Sequence, residues 1–552
     1  MDLKTEDKNF VVLPYDFEIL KNAFLTFSQI NTNYLEQKLA NNFYKDYLQT
    51  LDAKTLVVEK QYIDKDFLND YANYYVKCFH KYERFCTRLH FFSCEMTQDD
   101  FNNVLTDFHV FQANHQMLQE NYLGYMVVKN LPQSIIGKTC LKCYPKGDNR
   151  YFPATVKHKV HLAGIPLCIE TLPFQEQDSV VAACATSSLW SMFYGTGELF
   201  HHSIPSPYEI TKAATQDFPV SSRAFPNHGL SLEMMAKAIN KVGLEPLCIS
   251  AGSEVLTKAI IYAYLKAHLP VMLGTKLINR ITQRADRHAV IIVGYNYDEH
   301  KQIDCVYQQQ NEGYPLKLRA SNISKIYVHD DQVGPFARME FGQIGFDIDM
   351  FGNIIKDQND SIYHRWVLTT SYGIENGQKI YHAIPEALLI PTYHKIRIPF
   401  ESILRQVYEF NHLFVAFSMF LDIEKIKRMA DGLSWEIFLT NINEFKYSII
   451  SDERLSKEEK LRITNSRYPR FLWRVKVYSS SENIFDLIFD ATDIEQNEYM
   501  KETVVYNQDA IEMMQQFALL YYENGIIQTG NKIINSFSAK EKNIMLSKVI
   551  NA

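Results

Sequence analysis

The stretch RHAVIIVGYN, residues 287–296, decides the fold of the central part of this chain. Its apolar run VIIV, residues 290–293, is rich in β-branched side chains and predicts a strand that is buried on both faces. Directly before the run stands His288, a side chain whose charge changes near neutral pH. A histidine in this place is either a satisfied core residue or a base held for chemistry. The residues around it decide between these two interpretations.

The size and composition of the chain limit what it can be. Its 552 residues exceed one ordinary hydrophobic core and predict two to four domains. Apolar residues make up 46% and charged residues 22%, which is typical of a globular protein. The net charge of -7 offers no basic footprint for nucleic acid. No apolar run reaches the ~18–20 residues of a membrane helix, and the polar start MDLKTEDKNF is not a signal peptide, so a cytoplasmic protein is expected.

Nine cysteines are scattered along the chain, at positions 78, 86, 94, 140, 143, 168, 184, 248 and 305. An odd number without a signal peptide favours reduced thiols over a disulfide framework. Most of them are expected to be buried and inert, because free cysteine packs as a small apolar residue. Whether one of them is reactive depends on its neighbours.

The residue pattern divides the chain into three regions, which we predict as domains 1–150, 151–345 and 346–552. The outer two alternate helical and strand patterns and are predicted to be α+β domains. Examples are a helix over residues 64–82 with Asp64 as N-cap, and a second helix over residues 508–525. Turn-rich residues 144–153 and loop-like residues 347–361 mark the two boundaries. Every chemical signal lies in the middle region.

Cys184 stands at the start of a helical pattern. Four apolar residues follow it on one face at a spacing of three to four, namely Ala185, Leu189, Trp190 and Phe193. Gly195 and Gly197 are predicted to end the helix, and Trp190 is expected to belong to the core. Because a helix N-terminus favours negative charge, a thiol in this place is favoured in its reactive thiolate form.

The groups that a catalytic thiol needs occur on both sides of it in the chain. Upstream lie Gln175 and Gln177, whose amides can donate a hydrogen bond to an oxyanion that develops beside the sulfur. Downstream, the imidazole of His288 can take the thiol proton and return it to a leaving group. Further on, a strand ends in Asp330 and Asp331, and a carboxylate there can orient the imidazole as the third member of a triad does.

This arrangement resembles the papain-like cysteine peptidases, and most closely the branch that includes the bacterial double-glycine leader peptidases. In that family the catalytic histidine opens a strand reading His-Ala-Val, an apolar run and Gly-Tyr, which residues 288–295 reproduce. The third triad member ends the next core strand before a glycine-containing turn, and KIYVHDDQVGP, residues 325–335, places Asp330 there. A glutamine before the cysteine helps to form the family's oxyanion hole. Gln177 matches it, with Gln175 as the alternative.

The resemblance covers about residues 156–335. It implies an α+β fold in which a papain-like cysteine peptidase domain is flanked by two smaller α+β domains. It further implies a bacterial thiol protease, a hydrolase that attacks an amide bond of a protein or peptide through a covalent acyl-enzyme, without a cofactor or a metal. The implied site consists of Cys184, His288, Asp330 and Gln177, and Asp331 stays open as the alternative to Asp330.

Other functions stay open on the same residues. A transglutaminase or deamidase shares the Cys-His-Asp order, and only the acceptor, amine or water, separates it from a peptidase. A binding module that keeps the fold without catalysis is a second alternative, because the Gly or Ser-Cys-Trp neighbours usual in the family are missing around Cys184. A third is a toxin or defence protease that its flanking domains restrain until a regulatory partner binds.

A zinc site is the competing use of the thiols. Cys140 and Cys143 form a CxxC pair, and His158 and His161 follow it. However, TVKHKVHLAG, residues 155–164, has the pattern of a strand, in which residues three apart point to opposite faces. We therefore expect these two histidines not to share a metal.

Overall fold

The computed structural model contains both helices and strands, which confirms the predicted mixed class, while the papain-like assignment stays a prediction. The structure describes residues 9–39, 42–147, 149–178, 183–216, 229–279, 285–301, 303, 307, 314–344, 347–348, 354–355, 365–370, 374–375, 378–379, 381–421, 424–494 and 500–507. The helix predicted over residues 508–525 lies outside them. In the described part of the chain, no helix combines the length and the apolar character that a membrane crossing requires.

The helices of the described residues are α1 Phe17–Phe27, α2 Thr32–Lys38, α3 Phe43–Thr50, α4 Lys65–Asn73, α5 Gln98–Thr106, α6 Phe108–Asn121, α7 Cys184–Phe200, α8 Pro207–Thr215, α9 Leu232–Lys241, α10 Glu254–Leu265, α11 Phe400–Leu421, α12 Glu424–Asp431, α13 Ile442–Ser451 and α14 Lys457–Asn465. Short 3₁₀ turns occupy Tyr75–Lys77 and Arg319–Asn322.

The strands are β1 Phe10–Pro14, β2 Thr55–Tyr62, β3 Cys86–Phe92, β4 Tyr122–Val128, β5 Ile136–Leu141, β6 Arg150–Tyr151, β7 Val156–Leu162, β8 Ile165–Thr171, β9 Glu245–Ser250, β10 Val271–Asn279, β11 Ala285–Tyr297, β12 Ile323–Asp330, β13 Gly334–Ile344, β14 Asp347–Ile348, β15 Ile354–Ile355, β16 Arg365–Thr370, β17 Ile374–Glu375, β18 Gln378–Lys379, β19 Tyr381–Thr392, β20 Leu433–Asn441, β21 Phe471–Ser479, β22 Glu482–Asp490 and β23 Met500–Val505.

The chain forms two compact units, each made of three segments. The first consists of Met1–Ala251, His268–Asn296 and Ser324–Pro391, and the second of Gly252–Ala267, Tyr297–Ile323 and Thr392–Ala552. The predicted boundaries after residues 150 and 345 both fall inside the first unit. The division into three domains stays a prediction.

The N-terminal part of the first unit is an antiparallel sheet in the order β1-β2-β3-β4-β5. Helix α4 begins as predicted, since Asp64 accepts from the N–H groups of Asp66 and Phe67 at 3.1 and 2.9 Å. It ends at Asn73, so the prediction of a helix up to residue 82 is wrong. The aromatic and β-branched residues after Asn73 have low helix propensity, and the hydroxyl of Tyr75 is held by the Asp178 carboxylate at 2.9 Å.

The central part of the first unit is built on a second sheet, in the order β10-β11-β12-β13-β16-β19-β9. Strand β19 also pairs with β10, so six of these strands close into a ring. Strand β11 contains the predicted run of residues 290–293, and all four side chains are fully buried. The sequence therefore predicted this strand and its burial on both faces.

Helix α7 is longer than the sequence predicted. Gly195 and Gly197 lie inside the helix, which continues to Phe200, so their prediction as its end is wrong. Both allow close packing instead: a Cβ on Gly195 would lie 2.8 Å from Pro270, and one on Gly197 would lie 2.8 Å from Ile204. Trp190 is fully buried within this helix, as predicted.

The second unit contains the antiparallel sheet β20-β21-β22-β23. The buried residues of α13 and α14, among them Phe445, Ile449 and Ile463, pack with Leu472 and Ile488 of this sheet. Its strands β21 and β22 lie in the last of the three predicted regions, where the sequence indicated alternating helices and strands. The unit also carries the described part of the segment between β11 and β12.

Candidate active site

Cys184 is the first residue of α7, as the sequence predicted. The N-cap residue Ala183 offers no side-chain acceptor, so it caps none of the N–H groups of the first turn. The cysteine is partly exposed, whereas residues 185–197 behind it are buried. The thiol therefore lies at the positive end of a buried helix and keeps access to solvent, which suits a nucleophile.

His288 lies near the start of β11 with 4% of its surface exposed. It stands opposite Thr275 of β10 in the strand register. One turn beyond Cys184, the hydroxyl of Ser188 donates to the backbone oxygen of Ala289 at 3.1 Å. Because residues four apart share a helix face, this bond holds the face of α7 that carries Cys184 against the start of β11. The thiol lies within hydrogen-bonding reach of the His288 ring.

Asp330 ends β12 and is fully buried. Its Oδ1 lies 3.1 Å from Nε2 of His288 and accepts from the backbone N–H of Gln332, also at 3.1 Å. Because Nε2 binds this carboxylate, Nδ1 is the ring nitrogen that remains to interact with the thiol. The roles of the two nitrogens are assigned from the hydrogen-bond network. The structure thus brings Cys184, His288 and Asp330 together in the order of a triad.

The acid-base balance of His288 is set by opposing effects. Burial alone would lower the pKa of its imidazole. The charge and hydrogen bond of Asp330, the hydrogen bond to Cys184 and the charge of Asp331 outweigh burial, so the pKa of His288 lies well above its usual 6.5. The imidazolium therefore persists at neutral pH, where it can stabilise a thiolate and protonate a leaving group.

Asp331 is the second carboxylate beside the imidazole. Its Oδ1 lies 3.8 Å from Nε2 of His288, farther than the nearer oxygen of Asp330. Among the described residues neither of its oxygens has a hydrogen-bond partner of good geometry, although its own backbone N–H favours the charged form. Burial, opposed mainly by the charge of His288, raises the pKa of Asp331 to about 7. The geometry thus favours Asp330 as the orienting group.

The two glutamines differ in their surroundings. Gln175 is 7% exposed, and its Nε2 is buried without a hydrogen-bond partner among the described residues. Gln177 is half-buried. A buried, unpaired amide is costly unless it has a partner during function, so Gln175 has the stronger case as an oxyanion donor. Both lie on the segment before residues 179–182, which are outside the described residues, and the choice of Gln177 stays a prediction.

Three residues near the triad were not predicted from the sequence, namely Lys38, Glu176 and His329. Lys38 of α2 makes an ion pair with Glu176, the residue between the two glutamines. His329 of β12 donates from Nε2 to the backbone oxygen of Leu172 at 2.9 Å and accepts from the N–H of Phe336 at 3.2 Å. Burial lowers the pKa of His329 to about 4, so it is neutral and structural. Its place directly before two aspartates was the one sequence signal available.

The described residues contain one group close enough to hold a metal ion, formed by His288, Asp330 and Asp331, whose ligand atoms lie within 4.8 Å of one another. A metal ion bound to Nε2 of His288 would replace the hydrogen bond between Nε2 and Asp330. The ion would also be repelled by the positive charge of Lys38, which acts on Asp331. One imidazole and two carboxylates are ligand types that metals accept. However, a metal site would leave the interaction between His288 and the Cys184 thiol unexplained, whereas an acid-base role of His288 accounts for both contacts.

The alternative zinc residues do not converge. Cys140 is fully buried in β5, and its Sγ donates to the Tyr125 hydroxyl at 3.4 Å. On β7, His158 is half-buried and His161 exposed, in the alternation predicted for a strand. In the described part of the chain they form no group with Cys143 that could hold a metal.

No protein-family model and no curated protein matches this chain. The likeness to papain-like peptidases therefore stays a resemblance of motifs. What bears on function is the geometry of the residues themselves.

Proposed function

We propose that this chain is a cysteine peptidase that hydrolyses an amide bond of a protein or peptide substrate. One observation carries the proposal: a partly exposed thiol at the start of a helix lies within hydrogen-bonding reach of a buried imidazole, whose other nitrogen is held by a buried carboxylate. Each group has the position that its role requires. The flanking regions then serve recognition or regulation, in a protein proposed to act in the cytoplasm.

The proposed reaction has two halves. The Cys184 thiolate attacks the carbonyl carbon, and the developing oxyanion is stabilised by the N-terminal N–H groups of α7 and by a glutamine amide. The C–N bond breaks as the His288 imidazolium passes its proton to the leaving amine, which leaves a thioester. Neutral His288 then takes a proton from water, the hydroxide attacks the thioester, and the thiolate leaves. Asp330 orients the ring throughout.

Acyl transfer to an amine and deamidation use the same first half-reaction. They differ from peptide hydrolysis in which amide is attacked and in which nucleophile resolves the thioester. Peptides from a whole-proteome digest, incubated with the full chain in heavy-oxygen water plus a primary amine such as cadaverine, separate the three outcomes by mass. We expect new carboxyl termini that carry heavy oxygen.

Glutamines converted to heavy-oxygen glutamate without chain cleavage would identify a deamidase, and cadaverine adducts would identify a transglutaminase. Cys184→Ala is the matched control and should give none of these products. If the wild-type chain and Cys184→Ala give identical peptide mixtures, the proposed function is wrong.

A further inference from the structure

A lysine from the N-terminal region lies in the surroundings of the candidate active site. Lys38 is the last residue of α2, where a cation is favourable to the helix dipole. It stands between Leu35 and Leu39, whose side chains are both buried and anchor this end of the helix. The lysine side chain itself is only 18% exposed. Burial of a lysine is costly unless its charge has a partner, so a lysine with this little exposure is expected to be paired.

The first use of this charge is the ion pair with Glu176. The second carboxylate oxygen of Glu176 accepts from the backbone N–H of Ile136 at 3.1 Å, and the N–H of Glu176 donates to the oxygen of Ile136 at 3.2 Å. Glu176 is therefore held by β5 on one side and by Lys38 on the other. Its two neighbours are the candidate oxyanion glutamines, Gln175 and Gln177, so the ion pair fixes the segment that carries them.

The second use of the charge is on Asp331. Burial raises the pKa of Asp331, and Lys38 acts against burial by favouring the carboxylate. In return, burial and the charge of Lys129 lower the pKa of Lys38 to about 8, while Asp331 favours its ammonium. The other groups that face Asp331 are His288 of β11 and Asp330 of β12. One lysine thus acts on both the glutamine segment and the acidic pair beside the imidazole.

The next helix supports the same acidic turn by packing. A Cβ on Gly334, which has a φ of +149°, would lie 2.2 Å from the ring of Phe43 in α3. Tyr47 of α3 stacks on Phe336, with ring centroids 6.3 Å apart and planes 9° apart. Helices α2 and α3 together therefore contact the glutamine segment and the residues that follow the acidic pair.

We propose that Lys38 is a positioning residue of the active site, which holds the glutamine segment through its ion pair with Glu176. The inference rests on the proposed function. It adds that the N-terminal region supplies part of the site, so that residues 151–345 are not sufficient for full reactivity.

The test compares full-length variants in their reaction with an epoxysuccinyl peptide, a reagent that forms a covalent bond with a catalytic thiol. Lys38→Met keeps the length of the side chain and removes the charge. We expect the maximal inactivation rate to fall by up to about 10²-fold, the loss that a displaced catalytic group can cause, with the reagent affinity little changed. Lys45→Met is the control, because Lys45 is an exposed lysine of α3.

Two rescues separate positioning from folding. Lys38→Arg should keep most of the rate, and the exchange Lys38→Glu with Glu176→Lys should recover rate that Lys38→Glu alone loses. Thermal melting of each variant shows whether it is folded. An unchanged rate in Lys38→Met, or a loss that neither Arg nor the exchange restores in folded protein, overturns the proposal. If wild-type Cys184 does not react with the reagent, the proposed function fails, and the role of Lys38 falls with it.

Discussion

Two cysteine-bearing regions of the first unit show what separates a reactive thiol from a structural one. Cys140 lies inside β5 with no exposed surface, and burial raises the pKa of its thiol to about 11. Cys184 begins a helix, is partly exposed and lies beside a histidine that is held in its charged form. A nucleophilic thiol needs access for its reactant and a cation to stabilise its anion. The region of Cys140 lacks the access, and Cys184 has both.

The largest expected effect comes from removing the cation. His288→Ala should lower turnover by about 10⁶-fold, because the members of such a unit act together and the loss of one removes most of what the others contribute. His161→Ala, on an exposed position of β7, is the control and should leave turnover unchanged. Steady-state kinetics on any peptide that the wild-type chain cleaves gives the comparison. Comparable turnover in both variants would remove His288 from the mechanism.

The next effect concerns what holds His288. Asp330→Asn should cost up to about 10⁴-fold in kcat, since the wrong ring tautomer is then favoured, yet leave measurable activity. Asp330 is the strongest of the groups that raise the pKa of His288, so this pKa is lower in the variant. The alkaline limb of the pH–activity profile, where the imidazolium loses its proton, should therefore shift to lower pH. Asp331→Asn should shift this alkaline limit in the same direction by less. Equal profiles for wild type and Asp330→Asn contradict this assignment, and a larger effect at Asp331 would exchange the two roles.

A smaller effect is expected at the oxyanion. Replacing the donating glutamine by Ala should lower kcat by about 10²–10³-fold. The buried, unpaired amide of Gln175 makes Gln175→Ala the more damaging variant, and Gln177→Ala serves as its comparison. The KM of the peptide should change little, because the donor acts on the transition state. If Gln177→Ala lowers kcat more than Gln175→Ala does, Gln177 is the oxyanion donor, as the sequence motif predicted.

The smallest expected effect is on stability. The pKa of Asp331 is about 7 in the folded chain and about 4 in the unfolded chain, so the folded state binds more protons between these values. This carboxylate therefore makes the protein less stable as pH rises from about 4 to about 7. Asp331→Asn removes that dependence, and its melting temperature relative to wild type should increase over the same window. An identical pH dependence of melting in both proteins would contradict the raised pKa.

The sequence predicted the local parts of the site well and the distant parts poorly. The strand with His288 and the helix start at Cys184 follow from hydrophobic periodicity, which a short window reveals. The prediction that Gly195 and Gly197 end helix α7 was wrong, because glycine often ends an exposed helix but permits close contacts inside a buried one. The pairing of Lys38 with Glu176 could not be predicted, since an ion pair between distant segments leaves no periodic signal. The burial that distinguishes Gln175 from its neighbour likewise depends on tertiary packing.

The most direct test of the account is the rate at which each of the nine cysteines reacts with iodoacetamide near neutral pH, followed by mass mapping in the wild-type chain and in His288→Ala. We expect Cys184 to be alkylated first, Cys140 to stay unmodified while the chain is folded, and the rate at Cys184 alone to fall in the variant. If another cysteine is modified first while Cys184 stays unlabelled, or if His288→Ala leaves the rate at Cys184 unchanged, the thiol and imidazole do not form a catalytic pair.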